Sequence, residues 1–286
     1  MQKINQLTLI TILSFVIFSC TSEKSSEEQA ANDTTAVVPI DTVAITVNDE
    51  TKFKFDFAIA NTPSPVQIIH DFTAFGVAYN NALLHDVKKV SSYNTDFSKS
   101  INLGIYNLDL AYAIANNQGA DVMKYLKTSM TEADALGLKA AFDQMLGKRA
   151  ESNISNKDSL LKIIDEIYVK GDSYLRTNDR VQTATHVFIG SWLEALHIMC
   201  QLDANEKDAT QKQKIHTHVW EQRFYLKNIV ELLNEFKNNK EDKILIDELT
   251  KIHAEIAAVR DAKDLSDVKF KSISDKISAL RSTLTK

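Results

Sequence analysis

Apolar positions along the chain fall into three regimes. From Leu7 to Phe18 they run almost unbroken, from Thr21 to Ala36 they nearly vanish, and from Pro65 onward they recur every three or four residues. The last regime predicts α-helices. Ser64-Pro65 reads as an N-cap followed by proline at the first helical position, with Val66, Ile69, Phe72 and Tyr79 on the apolar side. Further helices are predicted at about 95–116, 120–135, 138–151, 156–177, 180–203, 208–238, 242–260 and 266–284. Ser155 with Asp158 resembles a capping box. Ile273, Ile277, Leu280 and Leu284 step by four, three and four, a seam for a neighbouring helix.

Punctuation supports the same reading. The three prolines, Pro39, Pro63 and Pro65, all precede residue 66, and no glycine follows Gly190. Proline breaks helices and sheets need turn residues, so a stretch poor in both reads as helices joined by short polar links. One segment departs from it: Phe53, Phe55 and Phe57 alternate with Lys54 and Asp56, which predicts a short strand or strap laid on the domain. Residues 63–286 are long enough to bury one core without metals or disulfides, and tetratricopeptide spacing is absent. The predicted fold is an all-α multi-helix bundle of about eight or nine helices, with a sub-boundary near 205 as the alternative.

The opening stretch changes the picture of where the chain resides. Lys3, an apolar run of about twelve residues and a small residue before Cys20 follow the order of a secretory signal, too short to span a bilayer. Ile17-Phe18-Ser19-Cys20 resembles the lipobox of bacterial lipoproteins. That resemblance implies removal of residues 1–19, lipidation of Cys20 with palmitate-type acyl chains, and attachment to the outer membrane, facing the periplasm or the surface. Several acyl chains matter because one alone binds membranes only marginally. Cys200 is then left without a disulfide partner and reads as a small buried hydrophobe in an apolar helix.

Charge assigns roles to the remaining segments. Residues 20–62 form the predicted lipidated tether, whose composition cannot offset chain entropy and reads as disordered to about residue 50. Residues 21–63 hold eight carboxylates against three lysines, while the whole chain has a net charge of -5, so the helical part is near neutral. Its lysines and arginines are interspersed with acids and form no basic stripe, which argues against nucleic acid as a partner. Acidic runs after the lipidated cysteine also resemble surface-export signals of some Gram-negative lipoproteins.

Candidate chemistry concentrates in "NLGIYNLDLAYA" (102–113) and "HVFIGSWLEALHI" (186–198). Gly104 and Gly190 interrupt apolar helices at a cost of about 1 kcal/mol each relative to alanine, which points to two backbones crossing closely. Asp109, between Leu108 and Leu110, reads as a buried carboxylate in need of a donor from Tyr106, Asn102 or a helix N-terminus. Glu194 and His197, at i and i+3, have the carboxylate and imidazole spacing of di-iron bundles. No second such pair exists, and His186 lies too far along the helix to share an ion; a mononuclear divalent-metal site would need His218 and Glu221 as well. Tyr106, Tyr112, Trp192, Trp220, Phe224 and Tyr225 would form a pocket for a small apolar or sugar-like ligand if they surrounded a cleft, with Tyr106, Asp109 and Trp192 as its candidate ligand-binding residues.

Nucleophile-elbow, phosphate-loop, zinc-protease and haem-attachment motifs are missing. Both quoted stretches, with the Pro63-Ser64-Pro65 entry, resemble uncharacterised bacterial envelope lipoproteins with a helical domain, over roughly residues 63–235. The resemblance implies the fold and no activity. The function that follows is a lipid-anchored envelope protein whose non-catalytic helical module binds another envelope protein or a small ligand, with no cofactor; the alternative is a metal-dependent enzyme or metal carrier built on Glu194 and His197.

Overall fold

A computed structural model describes residues 49–286 apart from 65, 66, 70, 72–77, 140–143 and 205, with the backbone alone for 144–147. The predictions for the signal, Cys20 and the tether up to 48, and for Val66 and Phe72, lie outside the described residues. Nine α-helices and four short 3-10 turns, with no strand among the described residues, make the all-α bundle. The helices are α1 (Asp49–Ala60), α2 (Asp96–Ala115), α3 (Gly119–Ala135), α4 (Gln144–Ser152), α5 (Lys157–Thr177), α6 (Val181–Asp203), α7 (Ala209–Leu233), α8 (Lys240–Ala257) and α9 (Asp267–Leu284).

Short polar side chains set the boundaries. Thr95 and Ser98 form a reciprocal capping box at the start of α2, and Asp208, Asn239 and Ser266 cap α7, α8 and α9. At α5 the cap is Asn156, which accepts from the Ser159 amide, so the Ser155–Asp158 box is corrected by one residue. Ser64 accepts from the Gln67 amide at 3.1 Å, as its N-cap reading requires. The chain reverses after α2, α3 and α5 through left-handed residues, Asn117 (φ 57°), Gly137 (φ 71°) and Asp179 (φ 56°). The single helix predicted over 208–238 ends instead at Leu233, passes through a 3-10 turn at Asn234–Phe236 and yields to the Asn239 cap.

Two helices form the axis. Every residue of α2 from Ser100 to Ala115 is buried, and α6 is buried on nearly all sides, the condition of a helix enclosed by other helices. They cross at Gly104 and Gly190. A methyl group on Gly104 would run into the Val187 carbonyl oxygen and lie 2.7 Å from the Ser191 amide; one on Gly190 would run into the Ile101 carbonyl, its carbon 2.9 Å away. The Ser191 hydroxyl donates to the Gly104 carbonyl at 2.9 Å across the contact.

Around this axis α3 and α5 cover one side of α2, while α7 and α9 pack on α6 and α8 packs on α7 and α9. Ile273, Ile277 and Leu280 of α9 lie in the same core as Ile101, Leu193 and Ile229. Buried residues on both sides of the alternative sub-boundary near 205 thus share one hydrophobic cluster. A buried staple joins α8 to α6: Asp242 accepts from Gln182 and lies 2.6 Å from His186 Nε2.

The strand predicted at Phe53–Phe57 is a helix. In α1 the buried residues are Thr51, Phe55 and Ala58, spaced as one helical face, while Phe53 and Phe57 stack on each other outside. Tertiary packing selects the period, because only one of the three phenylalanines enters the core. Surface pairs Lys54–Glu235 and Arg176–Asp56 (both 2.5 Å) flank it. Among the described residues α1 thus packs with the helical domain, its Phe55 and Ala58 sharing a core with Leu103 and Leu175. Among the described residues no helix is long and apolar enough to cross a membrane.

Candidate functional site

The polar residues singled out in the sequence converge in part at the centre of the bundle. α2 supplies Asp109, α6 supplies Glu194, and α9 supplies Arg281; both carboxylates are fully buried. The Arg281 guanidinium grips Glu194 through two bonds, Nε to Oε2 and Nη2 to Oε1 (2.6 Å). Asp109 Oδ2 accepts from the His85 amide at 2.9 Å. The donors expected from Tyr106 and Asn102 go elsewhere: Tyr106 bonds the Asp86 carbonyl, and Asn102 bonds the carbonyls of Ser98 and Leu284. His85 was not legible as their replacement, because a backbone amide carries no sequence signal.

The segment from Tyr79 to Thr95 dips into the interior here, and its polar groups need partners. Tyrosines provide them. Tyr125 donates to the His85 carbonyl at 2.8 Å, the Tyr93 hydroxyl lies 2.6 Å from His85 Nε2, and the Tyr106 ring stacks on the His85 imidazole. Tyr79 bonds Asp121 and rests against Tyr112. The aromatic residues of the central helices therefore hold a buried strap in place.

Electrostatics fix the protonation of this centre. Burial, reinforced by the neighbouring Glu194 charge, raises Asp109 well above the usual carboxylate range despite Arg281. Asp109 Oδ1 has no hydrogen-bond partner among the described residues, so the His85 amide alone serves this carboxyl. Burial also lifts Glu132 to about 7 and pushes His85 down to about 3, the latter helped by Arg281 and Lys89.

These shifts give the bundle a pH profile with a definite sign. A carboxyl whose pKa is raised by folding holds its proton where the unfolded chain has lost it, so Asp109 and Glu132 lower stability as pH rises. For Glu132, only 1% exposed, the loss amounts to roughly 3 kcal/mol between its ordinary 4.5 and about 7. His85 acts oppositely, withdrawing stability as pH falls from 6.5 toward about 3. Stability should peak in mildly acidic solution. Asp109→Asn, whose amide oxygen can still accept from the His85 amide, should fold and weaken the alkaline decline; an unchanged difference in stability between pH 5.5 and 8.5, read by denaturant titration, would contradict this.

The other predicted ligands do not join the centre. His197 lies 3.4 Å from the Ser278 hydroxyl and is driven to about 4 by burial. His218 sits in an open surface groove between Asp71 (3.1 Å) and Glu221 (3.4 Å). Among the described residues no group of three or more His, Cys, Asp and Glu is arranged to hold a metal ion, and Glu194 has both oxygens on Arg281. Trp192 is a core residue that donates to Gln222, while the Arg223 guanidinium lies against the rings of half-buried Trp220 and exposed Phe224. The predicted aromatics do not surround one cleft. Cys200 is buried, its thiol pushed up to about 12 by burial.

A cavity of about 220 Å³ opens on another side, between α1, α5 and α6, with α2 as its floor. Phe55, Ile59, Leu103, Leu175 and Phe188 give it apolar walls, and Asn107, Tyr168 and Ser191 supply polar atoms. Asn107 lies within the stretch already selected for Asp109 and shows the same signal, a polar residue on an apolar helix. Comparison of the chain with known family models, curated proteins and solved structures finds no match.

Proposed function

We propose that this protein is a lipid-anchored component of a bacterial envelope whose helical domain is a non-catalytic binding module. The observation that carries the second half is a separation of features. Asp109 and Glu194, the groups best suited to acid–base or metal chemistry, are fully buried and engaged with His85 and Arg281, whereas the accessible cavity between α1, α5 and α6, which neither of them lines, is mostly apolar. A centre of this kind specifies packing. A mostly apolar cavity with a few polar atoms is suited to binding.

The anchor rests on the Ile17-Phe18-Ser19-Cys20 pattern and the acidic, serine-rich spacer behind it. Cys20→Ser should leave the signal uncut or release the chain from membranes, and should abolish incorporation of labelled palmitate. A variant that remains acylated and sediments with the outer membrane would refute the anchor. On this reading the membrane is the first partner and the cavity's occupant or a neighbouring envelope protein the second, with nucleic acid excluded by the lack of a basic face.

A further inference from the structure

We infer that the cavity between α1, α5 and α6 is a binding site for a small, uncharged, largely apolar molecule with one hydrogen-bonding head group, received by the carboxamide of Asn107. This deepens the reading of the domain as a binding module and rests on it.

Size comes first. Protein interiors pack as densely as organic crystals, and an apolar cavity of about 150 Å³ is enough to stay dry and admit benzene. At about 220 Å³ this cavity has room for a single ring or a short hydrocarbon chain plus a polar group.

Asn107 indicates the head group. It lies mid-helix, 8% exposed, on the cavity floor, and its carboxamide makes no hydrogen bond to the described residues. Its neighbours on α2 behave differently: Asn102 bonds two carbonyls and Asp109 the His85 amide. Asparagine is a poor helix former, and this amide, open to the cavity, is satisfied only by water or by a molecule entering there. Such a residue facing a void needs a partner from outside the chain. Tyr168 and Ser191, whose hydroxyls lie 3.3 Å apart, offer further polar atoms in the same cavity.

Charge narrows the class. The lining includes Asp165 and Asp172 but no Lys, Arg or His. Asp172 is paired with Arg176 at 2.9 Å, while Asp165 is exposed. A carboxylate entering this cavity would meet acids and no cation. An ammonium would lose its water beside a neutral amide and apolar walls, which is unfavourable. An alcohol or a neutral amide satisfies Asn107 without either penalty.

The test uses the full-length chain carrying Cys20→Ser, so that no acyl group competes, titrated calorimetrically with 3-phenylpropan-1-ol, 3-phenylpropanoate and 3-phenylpropylamine. The alcohol should bind saturably and shift the side-chain amide resonances of Asn107, and the two ions should bind at least about tenfold more weakly. Asn107→Leu, which places an apolar side chain on the apolar floor, should weaken the alcohol about tenfold, and Ile59→Trp, filling the cavity from its half-buried rim, should abolish binding. Absence of saturable binding to the alcohol, tighter binding of either ion, or unchanged affinity in both variants would overturn the proposal. The broader binding-module reading would survive that failure if the protein extracted from its envelope carried another chain.

Discussion

Gly104→Ala and Gly190→Ala should each destabilise the protein by about 3 kcal/mol or more, although on an exposed helix the same change gains about 1 kcal/mol. The reason is backbone against backbone. Each added methyl would meet the main-chain carbonyl of the opposing helix, Val187 or Ile101, which has no rotamer by which to withdraw. The helices must separate, and α2 and α6 bury residues on almost every side, so separation loosens their neighbours as well. Gly119→Ala is the control, since nothing lies within 4 Å of the added methyl, and its stability should change little. Denaturant melts of the three variants check the prediction; equal stability of Gly104→Ala and Gly119→Ala would contradict the crossing.

Arg281→Met should be comparably severe, at about 3–5 kcal/mol. Glu194 is fully buried, and its two oxygens face the guanidinium of a residue 87 positions away. Removing the cation strands a buried carboxylate next to Asp109 and removes a donor from the Leu83 carbonyl. Replacing both partners with apolar residues is a different matter, because the desolvation penalty of the pair disappears with it. Glu194→Leu combined with Arg281→Met should therefore recover most of the loss. A double variant no more stable than Arg281→Met would contradict the assignment of this pair as a self-contained structural unit.

Much of the helical architecture was legible because local chemistry determines it. The helices predicted from about 95, 208 and 266 begin beside the observed caps Thr95, Asp208 and Ser266, whereas the caps Asn156 and Asn239 were missed by one residue and by the run-on of the helix predicted over 208–238. Gly104 and Gly190 were legible as a crossing because a glycine within an apolar helix is unfavourable unless a backbone approaches. Phe53, Phe55 and Phe57 misled, since alternation cannot reveal that only Phe55 is buried. Candidate chemistry was half legible. Asp109 and Glu194 were marked by their apolar neighbours, but Arg281, one position beyond Leu280 of the α9 seam, could be matched to Glu194 only through the tertiary fold.

His197, His218 and Glu221 show the limit of spacing arguments. An i,i+3 pair places two side chains on one helical face, but the rest of a ligand set must come from other helices. Here His197 meets Ser278, and His218 with Glu221 meets Asp71 in a separate groove. Asn107 was overlooked for the opposite reason: it has no motif, and its interest lies in an empty volume beside it.

The central claim is a lipid-anchored module that binds and does not catalyse. Native mass spectrometry of the protein extracted in mild detergent from its own envelope, followed by denaturation, tests it most directly. The account predicts a chain beginning at Cys20 with added acyl mass, and a bound molecule or partner chain released on unfolding. A chain that retains residues 1–19 without acyl groups, or that carries a stoichiometric metal ion retained by wild type and lost in Glu194→Ala, would contradict it.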